Sequence, residues 1–205
     1  MVLRITKYGE PILRQKGAMV EAFDGNLHKL IDDMFDTMEA AQGIGLAAQQ
    51  IGQAIQLCIV DVTGVDDRPS ALFIDGKESD VEEFMPLVLI NPRIELSGSQ
   101  EAGPEGCLSF PSIYGEVTRP QRARVTAKDG HGNEFSFECE GLLSRCIQHE
   151  VDHLNGLLFI DRMNGAERDK IRDEVNDLHE GTKEWLASKS KSEKPEGDSQ
   201  SAATP

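Results

Sequence analysis

One short segment constrains this chain more than any other: His149, Glu150 and His153 form an HExxH pattern. Residues i and i+4 of a helix lie one above the other on the same face, so both imidazoles can reach a single metal ion. The glutamate between them lies close enough to act on water at that ion. The pattern therefore predicts a metal-bearing helix to which the fold must bring a further ligand.

The flanking residues support a largely buried helix over 141–156. Its apolar residues recur at helical spacing, and they are Leu142, Leu143, Cys146, Ile147, Val151 and Leu154. Gly156 is placed to end the helix. Unpaired imidazoles would be costly to bury in so apolar a helix, which favours a metal site over a chance match.

The rest of the pattern predicts strands between helices. A helix is expected to begin after Asp24, which can cap it, and to end at Gly43. Four strand-like segments follow, namely IQLCIVDV, LVLINPRIEL, EVTRPQRARVTAKDG and EFSFECE. A turn at 129–132 joins the last two as an antiparallel hairpin, and a charged helix is expected over 166–186. The prediction is an α+β fold in which antiparallel strands pack around the central HExxH helix, with N-terminal and C-terminal helices.

Charge and length limit the organisation. The 205 residues carry 21 Lys+Arg against 36 Asp+Glu, a net charge of −15, and such an acid surplus disfavours nucleic acid as the main partner. Residues 64–84 hold seven acids and two bases and are interpreted as a solvated excursion between strands. We expect one catalytic domain over 1–186, with this acidic insertion, and a disordered polar tail over 187–205.

Cellular setting is predicted from what the sequence lacks. Four scattered cysteines without CxxC spacing indicate reduced thiols, and no apolar run approaches the roughly 20 residues of a membrane-spanning helix. A cytoplasmic monomer is expected, without DNA or membrane as a partner.

The third ligand decides the class of metal site. The extended zincin pattern would place it at Phe159, which cannot bind a metal. Glu174 and Glu180 lie in a charged helix, where a solvated position is more typical. Cys107, in the constrained segment GPEGCLSFP, could complete a Cys/His/His set or could be a small buried hydrophobe.

Three segments together resemble the signature motifs of the bacterial peptide deformylases: GIGLAAQQ at 43–50, EGCLS at 105–109 and QHEVDHLNG at 148–156. They occur in the family's order, and the likeness covers roughly residues 3–180. The resemblance implies a hydrolase that removes the formyl group from the N-terminal formylmethionine of newly made polypeptides.

The resemblance also implies one divalent metal held by Cys107, His149 and His153. Ferrous iron is expected in the cell, although this donor set also accepts zinc, nickel or cobalt. Water activated by the metal would attack the formyl carbon while Glu150 acts as general acid/base.

Further roles follow from the same motifs. The Gln50 side-chain amide and the Leu108 backbone N–H are implied to stabilise the oxyanion, and Gln148 is expected to hold the ligands or the cysteine turn by hydrogen bonds. The residues implied to contact the substrate are Gly43, Ile44, Gly45, Leu142 and Cys146.

Two alternatives stay open. HExxH alone also suits a metallopeptidase, and a relative could keep the fold as a non-catalytic peptide-binding module. For a deformylase the partners are N-formylmethionyl peptides. Transient ribosome contact through the last helix is in doubt, because residues 166–186 hold seven acids and four bases.

Overall fold

A computed structural model describes residues 1–192 of the chain. Its strands are β1 (Gly45–Ala47), β2 (Leu57–Val60), β3 (Ser70–Ile74), β4 (Lys77–Ser79), β5 (Leu87–Cys107), β6 (Phe110–Lys128) and β7 (Glu134–Glu140). Its α-helices are α1 (Gly25–Ala40), α2 (Val81–Phe84), α3 (Gly141–Leu154), α4 (Phe159–Arg162), α5 (Gly165–Lys170) and α6 (Arg172–Ser192). Short 3₁₀ helices occupy Pro11–Arg14 and Ala48–Ile51.

The strands form one antiparallel sheet in the order β1-β2-β5-β6-β7-β3-β4. The long β5 and β6 pair along most of their length, and the predicted turn at 129–132 joins β6 to β7. Helices precede and follow the sheet in the chain, so the predicted α+β class with antiparallel strands is confirmed.

Helix α3 carries the HExxH segment and packs its apolar residues against the inner face of the sheet. Leu143, Ile147 and Leu154 are fully buried there. The polar residues of the motif are buried as well, so their side chains must find partners inside the protein. The predicted central helix is confirmed, and Gly156 follows it with a positive φ of 72°.

The start of α1 is also confirmed. The Asp24 side chain accepts hydrogen bonds from the backbone N–H groups of Asn26 and Leu27, both at 3.0 Å. These bonds satisfy donors that the first helical turn leaves without partners. The helix ends at Ala40, three residues before the predicted Gly43.

The acidic segment 64–84 is not the solvated excursion that its composition predicted. It contributes β3, β4 and α2, and β3 pairs with β7 to extend the sheet. Leu72 is fully buried in the core, whereas most of the acids are exposed. Asp75 and Gly76, with φ of 50° and 75°, form the tight turn of the β3–β4 hairpin, which is the Asp-Gly signal that the composition concealed.

The C-terminal helical prediction is correct in kind but wrong in its limits. Ile171 separates α5 from α6, and α6 runs through residues 187–192, which were expected to begin a disordered tail. Residues 193–205 of that expected tail lie outside the described part of the chain.

Aromatic and cationic contacts explain why α6 continues. The guanidinium of Arg4 lies 4.6 Å from the centre of the Trp185 ring, and the ammonium of Lys189 lies 4.7 Å from it. These contacts tie the last turns of the helix to the N-terminal segment. No helix within residues 1–192 is long and apolar enough to cross a membrane.

Leu72→Ala tests whether the acidic segment belongs to the core. Loss of a fully buried side chain is expected to lower the free energy of unfolding by about 2–5 kcal/mol. Urea unfolding provides the measurement. Leu96→Ala, at a side chain that is 46% exposed on β5, is the control and should change stability by no more than roughly 0.5 kcal/mol. Equal effects of the two substitutions would contradict the assignment of β3 to the core.

Candidate active site

The N-terminal segment connects two of the three motifs. The backbone N–H of Thr6 donates to the carbonyl of Gln50 at 2.8 Å, and that of Tyr8 donates to the carbonyl of Ser109 at 3.0 Å. Residues 6–8 therefore bridge the 3₁₀ helix that bears Gln50 and the turn between β5 and β6. The third motif, on α3, faces this junction.

Three donor side chains converge between the β5–β6 turn and α3. One ligand atom from each of Cys107, His149 and His153 lies within 4.8 Å of the other two, and the Cys107 Sγ is 3.3 Å from the His153 Nε2. Cys107 is the last residue of β5 rather than part of the turn itself. One thiol and two imidazoles around a common point are a donor set for a divalent transition metal.

The neighbouring carboxylate fits the same interpretation. Glu150 is 4% exposed, and its Oε2 has no hydrogen-bond partner within residues 1–192. A buried polar atom without a partner is costly unless a ligand or water satisfies it. This oxygen thus supports a site in which Glu150 acts on a molecule held beside the three donors.

The other ligands considered from sequence do not join this group. Glu174 and Glu180 are exposed on α6, where Glu180 pairs with Lys183. Phe159 is buried with its ring centre 6.3 Å from that of His149. Within residues 1–192, Cys107 is the side chain that completes a three-donor cluster with the histidines.

A buried ion network surrounds the donors. Glu105 accepts hydrogen bonds from Arg119 at 2.6 and 2.9 Å, from Arg145 at 2.8 Å and from the Nδ1 of His149 at 3.0 Å. Arg119 also donates to Asp152 at 2.8 Å. Because Nδ1 of His149 is occupied by the carboxylate, Nε2 is the ring nitrogen left for a metal.

Electrostatics follow from burial and from this network. Burial alone would raise the pKa of Glu105, but its hydrogen bonds with His149 and Arg119 outweigh burial and hold that pKa well below its usual range. Burial lowers the pKa of His153, which keeps the imidazole in the neutral form that a metal requires. Burial raises the pKa of Glu150 to about 7 in the metal-free protein.

Gln50 is fixed by both ends of its amide. Its Oε1 accepts the backbone N–H of Ala47 at 2.8 Å, and its Nε2 lies 3.4 Å from both the Sγ of Cys107 and the Oγ of Ser109. The NH₂ group is therefore directed at the Cys107 turn. Gln148 does not act as expected, because it bonds the Pro120 carbonyl at 2.9 Å and not a donor of the cluster.

A cavity of about 580 Å³ opens over the donors. The predicted site residues that line it are Gly43, Ile44, Gly45, Gln50, Cys107, Leu108, Leu142, Cys146, His149 and Glu150. A Cβ atom on Gly45 would lie 2.5 Å from the Oε1 of Glu150 and 2.8 Å from the Sγ of Cys146. Glycine is thus required there for the backbone to approach the carboxylate this closely.

Sequence reasoning missed the ion network. Asp152 lies inside the HExxH segment, and Glu105 lies inside EGCLS, but neither motif predicts a partner for its carboxylate. Arg119 carries no local signal, since its contact with Glu105 depends on how β5 and β6 pair. Arg145 carries no local signal either, since its bond to Glu105 follows from the position of α3 against the sheet.

The site has the parts of a metal-dependent hydrolase. These are a three-donor cluster, a buried carboxylate and an oriented side-chain amide on the wall of an open cavity. The sequence model described as Polypeptide deformylase matches residues 2–169. The peptide deformylase of Methylacidiphilum infernorum is 44% identical over 181 residues, which cover 88% of this chain and 95% of that one. The peptide deformylase of Opitutus terrae is 46% identical over 180 residues, covering 87% and 93%.

Solved structures agree. The crystal structure of Arabidopsis thaliana peptide deformylase 1B in complex with an inhibitor superimposes with a TM-score of 0.78 at 39% identity, covering 90% of this chain and 94% of that one. The chain belongs to the polypeptide deformylase family. It is a metal-dependent hydrolase that removes the formyl group from nascent peptides.

Arg119→Leu tests the ion network. The substitution removes one cation from between Glu105 and Asp152 and is expected to lower the free energy of unfolding by about 3 kcal/mol, because buried carboxylates lose a partner. Chemical denaturation provides the measurement. Arg122→Leu, on the same strand but 44% exposed in its ion pairs, should cost about 1 kcal/mol or less. A loss at position 119 no larger than at 122 would contradict the importance of the network.

Proposed function

We propose that Cys107, His149 and His153 hold the catalytic metal of this deformylase. The observation that carries the proposal is their convergence within 4.8 Å beside the buried Glu150. Three protein ligands leave a coordination position open, as hydrolytic sites require. Iron in the ferrous state is the ion proposed for the cell, and zinc, nickel or cobalt suit the same donors, since availability and geometry select among them.

A divalent ion held there supplies Lewis-acid activation of water at neutral pH. Glu150 is the group proposed to take the proton from the attacking water and to pass it to the leaving amine, which becomes the new N-terminus. Its Oε2 has no hydrogen-bond partner within residues 1–192, and the side chain lies on the cavity wall next to His149; both observations support that role.

Attack on the formyl carbonyl places negative charge on its oxygen, and positioned donors must stabilise it. The side-chain NH₂ of Gln50 and the backbone N–H of Leu108 are proposed for this role. The hydrogen bond from Ala47 to the Gln50 carbonyl oxygen supports it, because that bond fixes which end of the amide faces the cavity.

The methionine side chain requires an apolar part of the cavity. Ile44, Leu142 and Cys146 line it and are proposed to contact that side chain. Gly43 and Gly45 are proposed to let the substrate backbone approach, and the crowding at Gly45 supports this view.

The cellular setting is proposed on general grounds. Nascent peptides are made in the cytoplasm, so a cytoplasmic monomer is the setting we infer. The catalytic domain is proposed to reach the end of α6, because that helix packs on the N-terminal segment. The acid surplus of residues 166–186 argues against contact with ribosomal RNA through this helix.

Cys107→Ser tests the ligand set. Replacement of the thiolate is expected to weaken metal binding by roughly 10-fold or more, since it removes one of three ligands. Metal content after dialysis against a graded chelator series provides the measurement. Cys139→Ala, at a buried thiol away from the cluster, should retain the metal. Unchanged metal affinity in Cys107→Ser would mean that another residue is the third ligand.

Glu150→Gln separates ligation from proton transfer. The variant should bind one metal per chain as the wild type does, yet release formate from formyl-Met-Ala at a rate roughly 10²–10⁴-fold lower. Glu180→Gln, on the exposed face of α6, should keep full activity. Loss of metal in Glu150→Gln, or activity close to that of the wild type, would contradict the assigned role.

A further inference from the structure

Two basic residues of the cavity wall, Lys7 and Arg68, have no ion-pair partner within residues 1–192, and Arg68 also lacks any other polar contact there. Arg68 precedes β3 in the acidic segment, is half-buried and lines the cavity that contains Glu150 and Leu142. Within residues 1–192 it makes no hydrogen bond, ion pair or ring contact. A partly desolvated guanidinium with five unused donors is suited to bind an anionic group that enters the cavity.

The other cations of the wall are already engaged. The Lys7 ammonium donates to the Leu108 carbonyl at 3.1 Å. Arg145 donates to Glu105 at 2.8 Å and to the Val117 carbonyl at 2.9 Å. Among the described residues of this wall, Arg68 is therefore the arginine whose guanidinium donors are available to a bound molecule.

The fold fixes Arg68 beside the proposed methionine site. The carbonyl of the next residue, Pro69, accepts the backbone N–H of Leu142 at 3.1 Å. The hydroxyl of Ser70 accepts the backbone N–H of Leu143 at 3.0 Å. The chain that follows Arg68 thus caps the start of α3 and holds the arginine next to a residue that lines the cavity.

We propose that Arg68 binds a side-chain carboxylate at the second or third residue of the substrate. Deformylation of peptides with an acidic residue just after formylmethionine is favoured as a result. The inference rests on the proposed active site, because it requires the methionine to lie against Leu142. Two positions are within the proposal, since successive residues of an extended peptide advance by only about 3.3 Å.

The experiment compares isosteric substrates. Formyl-Met-Asp-Ala-amide is paired with formyl-Met-Asn-Ala-amide, and formyl-Met-Ala-Asp-amide with formyl-Met-Ala-Asn-amide. The amide caps remove the terminal carboxylate, so side-chain charge is the difference within each pair. The full chain loaded with metal is assayed for formate release, and kcat/KM is measured for each peptide.

The wild type is expected to favour the Asp peptide of at least one pair by roughly fivefold, the size of an ion pair partly open to water. The preference should fall as ionic strength rises. In Arg68→Gln the preference should disappear. Lys77→Gln removes the other base of the acidic segment, outside the cavity, and should keep it.

The outcomes separate the inference from the function it rests on. Hydrolysis of all four peptides without an Asp preference, or a preference that survives in Arg68→Gln, would overturn the role of Arg68 alone. Absence of formate release from every peptide by the metal-loaded wild type would instead overturn the proposed active site.

Discussion

The position of the three proposed metal ligands depends on one buried carboxylate. Glu105 is 6% exposed and is surrounded by Arg119, Arg145 and His149. Removing such a charge from water is unfavourable unless its oxygen atoms find hydrogen-bond partners. The network is therefore stable only when β6 pairs with β5 in the correct register and α3 packs at the correct position against them. Cys107 follows Glu105 by two residues on the same strand. The contact that satisfies the carboxylate is therefore also the contact that brings the thiol to the helix.

The local parts of the site could be predicted from sequence, whereas its supports could not. The spacing of His149 and His153 is a property of one helix, so the pattern alone places both on one face. Asp24 could be recognised as a cap for the same reason. The position of Arg119 could not be predicted, because its contact with Glu105 depends on the register of β5 and β6. That register shifts along the strands, including between Gly106 and Cys107. Gln148 illustrates the same limit, since a motif position does not determine which neighbour a side chain will meet.

Composition gave the wrong prediction for two polar segments, because a few buried or packed residues determine their structure. In residues 64–84 seven acids lie at the surface, and their number concealed the short apolar segment of β3 in which Leu72 is buried. None of the seven acids lies in β3 itself, so they flank the strand and do not oppose its burial. The polar residues after Leu186 likewise gave no sign that the helix continues. The contact that stabilises the last turns of α6 comes from Arg4, near the other end of the chain.

The acidic insertion connects stability with the active site. Pro69 and Ser70 supply two of the acceptors that the first turn of α3 requires, and α3 carries Glu150 and two of the proposed metal ligands. The same few residues set where Arg68 enters the cavity. A change in this segment that loosened the cap would also move the guanidinium relative to Leu142, so we expect the stability of α3 and the proposed substrate preference to change together. The backbone that follows Arg68 is thus itself held by the helix that carries two of the proposed metal ligands.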